Sequence, residues 1–231
     1  VKLVTEMEKA GADIVELGIP NADPLADGPV IQRAAQRALT NGVNIDAVFD
    51  TVDRIREKTQ VPLVFLLYYN TIFRYGISRF IQKAEETGVD GLIIADLPLE
   101  ERSEFKEALS EKPIDLIPLV APTSKERIKT IVEDASGFIY CVSSLGVTGV
   151  RTSFSQDLES FMQTVAKFTK VPRAIGFGVS GPDAVRTLKN HAEGVIVGSA
   201  IIQRIEHGLS DQTHVEKVGR FVNSLKKAIR E

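Results

Sequence analysis

The chain has 231 residues, a net charge of −3, 43% hydrophobic and 26% charged residues, and one cysteine. That is enough chain for one large core. It offers no basic patch for nucleic acid, no apolar run near the ~20 residues of a membrane span, and no signal-like start. Cys141 has no second cysteine to pair with, so a reducing cytoplasm is the natural reading, and beside Val142 it reads as a small core residue.

The chain begins without Met, in an amphipathic helix with Val1, Val4 and Met7 on one face. Short apolar runs follow at residues 14–18, 62–68, 91–95, 116–120, 138–142, 173–177 and 194–197. They are rich in Val, Ile and Leu without clean alternation, as parallel strands covered on both faces are. Helical patterns lie between them. Ile45, Val48, Phe49, Val52 and Ile55 stripe residues 45–59; Ile128, Ile131 and Val132 mark 124–134; Val215, Val218, Val222, Leu225 and Ile229 mark the last segment. That segment closes with Lys226, Lys227 and Arg230, favourable at a helix C-terminus.

Two junctions repeat. Glu8-Lys9-Ala10-Gly11-Ala12-Asp13 and Glu85-Glu86-Thr87-Gly88-Val89-Asp90 each lead into a strand, with Gly11 and Gly88 placed to end a helix in the left-handed region. A repeated helix–Gly–strand unit points to a βα barrel or a doubly wound sheet. No linker divides the chain, so residues 1–231 read as one domain. The opening helix feeds a strand and should itself follow one. The expected fold is therefore a (β/α)₈ TIM barrel whose first strand lies upstream of Val1. The absence of a dinucleotide-type glycine fingerprint after an early strand disfavours the open seven-stranded sheet.

Barrel active sites sit at the carboxyl ends of the strands. There the first strand carries Glu16 between Val15 and Leu17, an acid that is costly among apolar neighbours unless it is paired or functional. The loop after it, residues 19–29, holds Asp23 and Asp27 among X-Pro and Asp-Gly turns, and ends in Pro29, which suits a helix start. One buried carboxyl raised toward neutrality beside a solvated, ionised one suits proton transfer. At the other end of the chain, Gly176-Phe177-Gly178 and Gly198-Ser199-Ala200 follow the last two strands, where barrels commonly bind phosphate on backbone N–H groups. A third Gly-rich turn, Gly146-Val147-Thr148-Gly149, follows the strand ending near Val142. No Lys stands at a strand end for an imine. His191, His207 and His214 fall in outer helices or loops, and no metal site is expected.

Glu16-Leu17-Gly18-Ile19-Pro20 followed by Asp23-Pro24-Leu25-Ala26-Asp27-Gly28-Pro29 closely resembles the signature of tryptophan synthase α chains. The resemblance continues, in family order, through Leu66-Leu67-Tyr68-Tyr69-Asn70, Ala95-Asp96-Leu97-Pro98, the block from Tyr140 to Gly149, Gly176-Phe177-Gly178 and Gly198-Ser199. It implies a lyase that splits indole-3-glycerol phosphate into indole and glyceraldehyde 3-phosphate. Glu16 matches the catalytic acid/base and Asp27 the carboxylate that holds the indole N–H. Gly149, Gly178, Gly198 and Ser199 match phosphate-binding positions; Tyr140 and Phe177 match the indole pocket. Thr148 falls on the loop that closes over substrate, and Asp96 matches a residue that positions that loop. Asp23, Pro24 and Asn70, with the segment near Pro98, match the face turned to a PLP-dependent β subunit in an α2β2 assembly. The cofactor belongs to that partner, and none is expected here. Asn21-Ala22 stand where the family often has an aromatic and a Ser, next to the partner-facing loop. The alternatives are a stand-alone lyase releasing indole, which would share every catalytic residue, and a non-catalytic barrel that activates a β subunit, which usually lacks one of the two acids.

Overall fold

A computed structural model describes residues 1–142, 154–176 and 178–231. In chain order the elements are α1 (Lys2–Lys9), β1 (Val15–Gly18), α2 (Pro29–Thr40), α3 (Ile45–Arg56), β2 (Leu63–Leu67), α4 (Tyr69–Tyr75), α5 (Ile77–Thr87), β3 (Gly91–Ile94), α6 (Arg102–Leu109), β4 (Asp115–Leu116), β5 (Leu119–Val120), α7 (Ile128–Val132), β6 (Ile139–Val142), α8 (Phe154–Ala166), β7 (Arg173–Gly176), α9 (Pro182–Leu188), β8 (Gly194–Val195), α10 (Ser199–His207) and α11 (His214–Arg230). Short 3₁₀ turns cover Leu99–Glu101 and Pro122–Arg127.

Among the described residues every strand pair is parallel, in two four-stranded sheets ordered β1-β2-β3-β4 and β5-β6-β7-β8. The run at 116–120, expected as one strand, accounts for the extra segment. Its first half pairs with β3 and its second half with β6. The switch falls at Pro118, which has no N–H to donate. Ile117 N–H still reaches Leu92 O (2.9 Å), and the Pro118 carbonyl then accepts from Tyr140 N–H (3.0 Å). One stretch of chain thus joins the two sheets.

Several other elements are shorter than expected. The helix at 45–59 stops at Arg56, because the N–H groups of Lys58 and Thr59 both turn back to Ile55 O (2.8 and 3.1 Å). The helix at 124–134 is confined to Ile128–Val132 behind the 3₁₀ turn. The strand at 194–197 shortens to Gly194–Val195, although Ile196 N–H still donates to Ile175 O (2.8 Å).

Alternation along the strands separates two apolar layers. Val15, Leu63, Phe65, Leu67, Leu92 and Ile94 point outward and pack with the helices around Phe49, Phe80 and Phe105. Ile139, Cys141 and Ile175 do the same under the helices of the second half. The opposite faces meet inside. Val64, Ile93 and Ile117 are buried there with Leu66, Leu119, Phe138 and Tyr140 against them, residues drawn from both sheets. Glu16 lies on this inner parity of β1, between outward-facing Val15 and Leu17.

Among the described residues the sheet edges are β4 and β5, on either side of Pro118, and β1 and β8. Helices lie across β1 and β8: α1 packs on α11, and α2 on α10. The α1–α11 contact needs Gly11. Its φ of +105° is a left-handed value, and a Cβ there would lie 2.8 Å from Cγ of Lys226, whose ammonium reaches both carboxylate oxygens of Asp13 (2.6 and 2.7 Å). Gly88, at φ +81°, ends α5 in the same conformation. Gly11→Ala is expected to lower stability by about 1–3 kcal/mol, because strain and the Lys226 clash add. A urea titration checks this as a lower midpoint at unchanged slope.

Candidate active site

The β1–β2 ladder places the first acid. Val15 N–H donates to Pro62 O and Ile19 N–H to Leu66 O, both at 2.9 Å, which sets Glu16 opposite Val64 on the inner face. Burial there raises its pKa from the ordinary 4.5 to about 7. Tyr140 comes to the same interior from β6. Its hydroxyl is pushed up, first by burial and then by the nearby Glu16 charge. Gly176, on the neighbouring β7, makes room for the Tyr140 ring, since a Cβ there would lie 2.6 Å from Cε1.

The second acid hangs from the loop after β1. Asp27 is half-buried, two residues before α2, whose N-cap is Gly28 and whose first residue is Pro29. The loop is tied from two sides. Ala26 N–H donates to the Tyr68 hydroxyl (2.9 Å), and Gln32 Nε2 donates to Asp27 O (2.8 Å). The same hydroxyl is near the Asp27 carboxyl and favours its ionised form. Burial raises the Asp27 pKa, and that hydroxyl opposes the rise. Tyr68 is buried at the end of β2, and sequence reasoning did not single it out. The available signal was a polar side chain at the carboxyl end of a barrel strand.

The remaining candidates spread around the same rim. Asp96, just past β3, is exposed, and its Oδ1 accepts from Tyr69 N–H (2.6 Å) at the start of α4. The sequence linked Asp96 to Thr148, which lies outside the described residues, as do Gly149 and Phe177. Gly178 and Gly198 follow adjacent strands β7 and β8. Both are exposed with open space at the Cβ position, and Gly178 has φ +47°. Ser199 is the first residue of α10, and the Gly198 carbonyl already accepts from Ile201 and Ile202. The Ser199 and Ala200 N–H groups come before these, at the open end of the helix where donors lack intrahelical partners. A rim with open glycines and a helix N-terminus can take an anion.

Asp23 is exposed, its N–H held by Asn21 Oδ1 (2.9 Å); Pro24 is half-buried and Asn70 exposed. Beside them in the chain stand two apolar side chains in open solvent, Leu25 at 89% and Phe73 at 65% exposure. Cys141 is buried, and burial pushes its thiol up to about 12, so it packs as a small apolar side chain. Among the described residues no group of His, Cys, Asp and Glu is arranged to hold a metal ion.

The sequence model of the tryptophan synthase alpha chain matches residues 1–230. The chain is 58% identical over 223 residues to the tryptophan synthase alpha chain of Alkaliphilus metalliredigens, covering 96% of this chain and 84% of that protein. It is 52% identical to that of Caldanaerobacter subterraneus, covering 98% and 87%. Among solved structures, the Legionella pneumophila tryptophan synthase α subunit superposes with a TM-score of 0.91 at 33% identity, over 99% of this chain and 86% of that one. A chain from the α2β2 complex of Pyrococcus furiosus gives 0.89 at 35% identity, over 97% and 90%.

Two outcomes follow from the electrostatics. Below pH 4.5 Glu16 is protonated in folded and unfolded chains alike. Between that value and about 7 the unfolded chain has released a proton that the folded chain keeps, so stability falls as pH rises. Glu16→Gln is therefore expected to be more stable than the parent at pH 8, by up to about 3 kcal/mol, with no gain at pH 4.5. Denaturant melts at the two pH values read it directly. Tyr68→Phe removes the hydroxyl that holds the Asp27 pKa down, so the Asp27 carboxyl, followed by ¹³C NMR, should titrate at higher pH than in the parent.

Proposed function

The chain belongs to the tryptophan synthase α-chain family, the carbon–carbon lyases that cleave indole-3-glycerol phosphate, and we propose that Glu16 and Asp27 carry out that cleavage here. The observation that carries the assignment is the pairing of a desolvated acid on the inner face of β1 with a second, half-buried acid on the loop above it.

A pKa near 7 leaves both forms of Glu16 populated at neutrality, which suits a group that must give a proton and then take one. The protonated carboxyl gives its proton to the indole carbon bearing the glycerol chain. The ring becomes a cation centred on its nitrogen, and the Asp27 carboxylate accepts the N–H and stabilises that charge. Glu16, now ionised, takes the proton of the hydroxyl on the adjacent chain carbon. The C–C electron pair returns to the ring, releasing indole, while the oxygen forms the aldehyde of glyceraldehyde 3-phosphate. Glu16 ends protonated, and no redox partner or metal enters.

Tyr68, held to Ala26 N–H beside the Asp27 carboxyl, favours the ionised form this step needs. Tyr140, with Phe177, flanks the indole. The phosphate sits on Gly149, Gly178, Gly198 and Ser199, where the open glycines after β7 and β8 and the first turn of α10 favour an anion. Thr148, held with the help of Asp96, closes the site and excludes water.

Indole passes to a PLP-dependent β subunit in an α2β2 assembly for tryptophan biosynthesis. The complex from Pyrococcus furiosus is described as one of mutual activation. The partner surface here is the rim at Asp23, Pro24 and Asn70, where Leu25 and Phe73 are exposed. PLP belongs to the β subunit, and we assign no cofactor to this chain. Residues 1–231 are taken as one barrel domain, since the Pro118 strand and the inner cluster join both sheets. No described helix is long and apolar enough to cross a membrane, and we assign the chain to the cytoplasm.

The test is release of glyceraldehyde 3-phosphate from indole-3-glycerol phosphate by the parent and by Glu16→Gln, with and without a β subunit. Glu16→Gln should lose about 10²–10⁴-fold in kcat while still binding substrate. In the parent, kcat/KM should fall as pH rises past about 7, since the free enzyme must begin with Glu16 protonated. The limb should vanish in Glu16→Gln, and the parent rate should rise with the β subunit. A parent inactive under both conditions would overturn the lyase reading.

A further inference from the structure

Tyr68 holds Ala26 N–H from 42 residues away in the chain, so the direction of its ring decides where the Asp27 loop settles. It stands where β2 has ended and α4 begins. The two peptide units that flank its Cα are fixed by one short stretch, Ala95-Asp96, at the end of β3. On the strand side, the Leu67 carbonyl accepts from Ala95 N–H (3.0 Å), one bond beyond the last ladder pair, Leu67 and Ile94. On the helix side, Tyr69 N–H donates to Oδ1 of Asp96 (2.6 Å).

The second bond is the unusual one. Tyr69 N–H belongs to the first turn of α4, whose donors have no carbonyl a turn back to meet. The N-cap residue, Tyr68, offers α4 no side-chain bond. Asp96 takes that part from the neighbouring strand end, where a carboxylate makes a strong, short hydrogen bond and its charge suits a helix start. Asp96 is exposed, so water could serve the same N–H. A water would satisfy the donor without fixing it. A carboxylate anchored next to Ala95 fixes both peptides about Tyr68, hence its φ and ψ and the direction of its Cα–Cβ bond.

We propose that Asp96 is a positioning residue for Asp27: by holding Tyr69 N–H it aims the Tyr68 hydroxyl at Ala26 N–H, and so sets the carboxylate that must meet the indole N–H. This rests on the lyase reading of Asp27. It is separate from the contact with the Thr148 loop that the family resemblance implies for Asp96.

The sign of one titration separates this role from simple charge. Among the described residues, Asp27 and Asp96 are the charged groups that bear on the Tyr68 hydroxyl. As a negative charge, Asp96 disfavours a second ionised carboxylate, so removing it should let Asp27 ionise at lower pH. As an acceptor, it aims the hydroxyl that favours ionised Asp27, so removing it should make Asp27 ionise at higher pH.

The experiment follows the Asp27 carboxyl by ¹³C NMR in the full chain without substrate, where closure over a ligand plays no part. Asp96→Ala should shift the titration upward. Asp96→Asn, which keeps an acceptor oxygen in place, should leave it at the parent value or below. Asp96→Ser, with a shorter acceptor, should fall between them and stands in for an Ala variant that fails to fold. In a Tyr68→Phe background Asp96→Ala should cause no further upward shift, since both act through one hydroxyl. In the assay with the β subunit, Asp96→Ala should lower kcat about tenfold, and Asp96→Asn should restore most of it. A downward or absent shift in Asp96→Ala and Asp96→Ser, or a full further rise on top of Tyr68→Phe, would overturn the proposal and leave the lyase reading intact. A parent that does not cleave indole-3-glycerol phosphate, with the Asp27 shifts as expected, overturns the lyase reading and with it the catalytic meaning of the aim.

Discussion

Parallel hydrogen bonding between successive strands is the constraint on which the rest depends. Each strand donates to and accepts from its neighbours in a register that brings Gly18, Leu67, Ile94, Val142 and Gly176 out at one rim. In a parallel ladder all strands leave by the same end, so the connecting loops gather there. Glu16 owes its place to this: Val15 and Leu17 face the helices, so the acid between them must face inward. A shift of one residue in the β1–β2 pairing would turn Glu16 out among Phe49 and Phe65 and bring Val15 in.

The ladder is not continuous, and the places where it stops are informative. At Pro118 the missing N–H breaks it, yet the chain itself carries the connection, and the inner cluster of Val64, Ile93, Ile117 and Tyr140 fills the space across the break. Across β1 and β8, α1 packs on α11 and α2 on α10. Lys226 lies over Gly11 and pairs with Asp13 near the start of β1, while Glu206, in the last turn of α10, pairs with Arg33 and Arg37 on α2. The first contact combines an ion pair with the apolar packing of Val218 and Val222 against Ala10. The second is chiefly ionic.

The electrostatics of the two acids differ for a reason that geometry supplies. Glu16 stands on a strand, on the inner face, and desolvation there keeps its proton to about 7. Asp27 stands on a loop, only half-buried, with a phenol hydroxyl nearby. The same chemical group is thus steered toward proton exchange in one place and toward stable charge in the other. Tyr68 is common to both the loop's shape and the acid's charge, since one hydroxyl accepts from Ala26 N–H and opposes the rise in the Asp27 pKa.

Much of this was legible in the residues alone. Apolar runs of strand length, separated by 3.6-periodic stripes and punctuated by Gly11 and Gly88, specify a parallel α/β architecture because both faces of each strand must be covered. An acid in such a run, and glycines after the last two strands, mark the rim before any coordinates exist. The block from Glu16 to Pro29 carried the family, and the matching relatives bear it out. What the residues did not show depends on contacts between distant parts of the chain. The break at Pro118 was invisible because periodicity does not reveal which neighbour a strand is paired with. Tyr68 passed unnoticed because its partners lie about forty residues upstream, and Glu206 because Arg33 and Arg37 stand some 170 residues away. Local sequence determines which elements form and which faces are apolar; only tertiary structure decides which charged side chains converge, because their partners are distant in the chain.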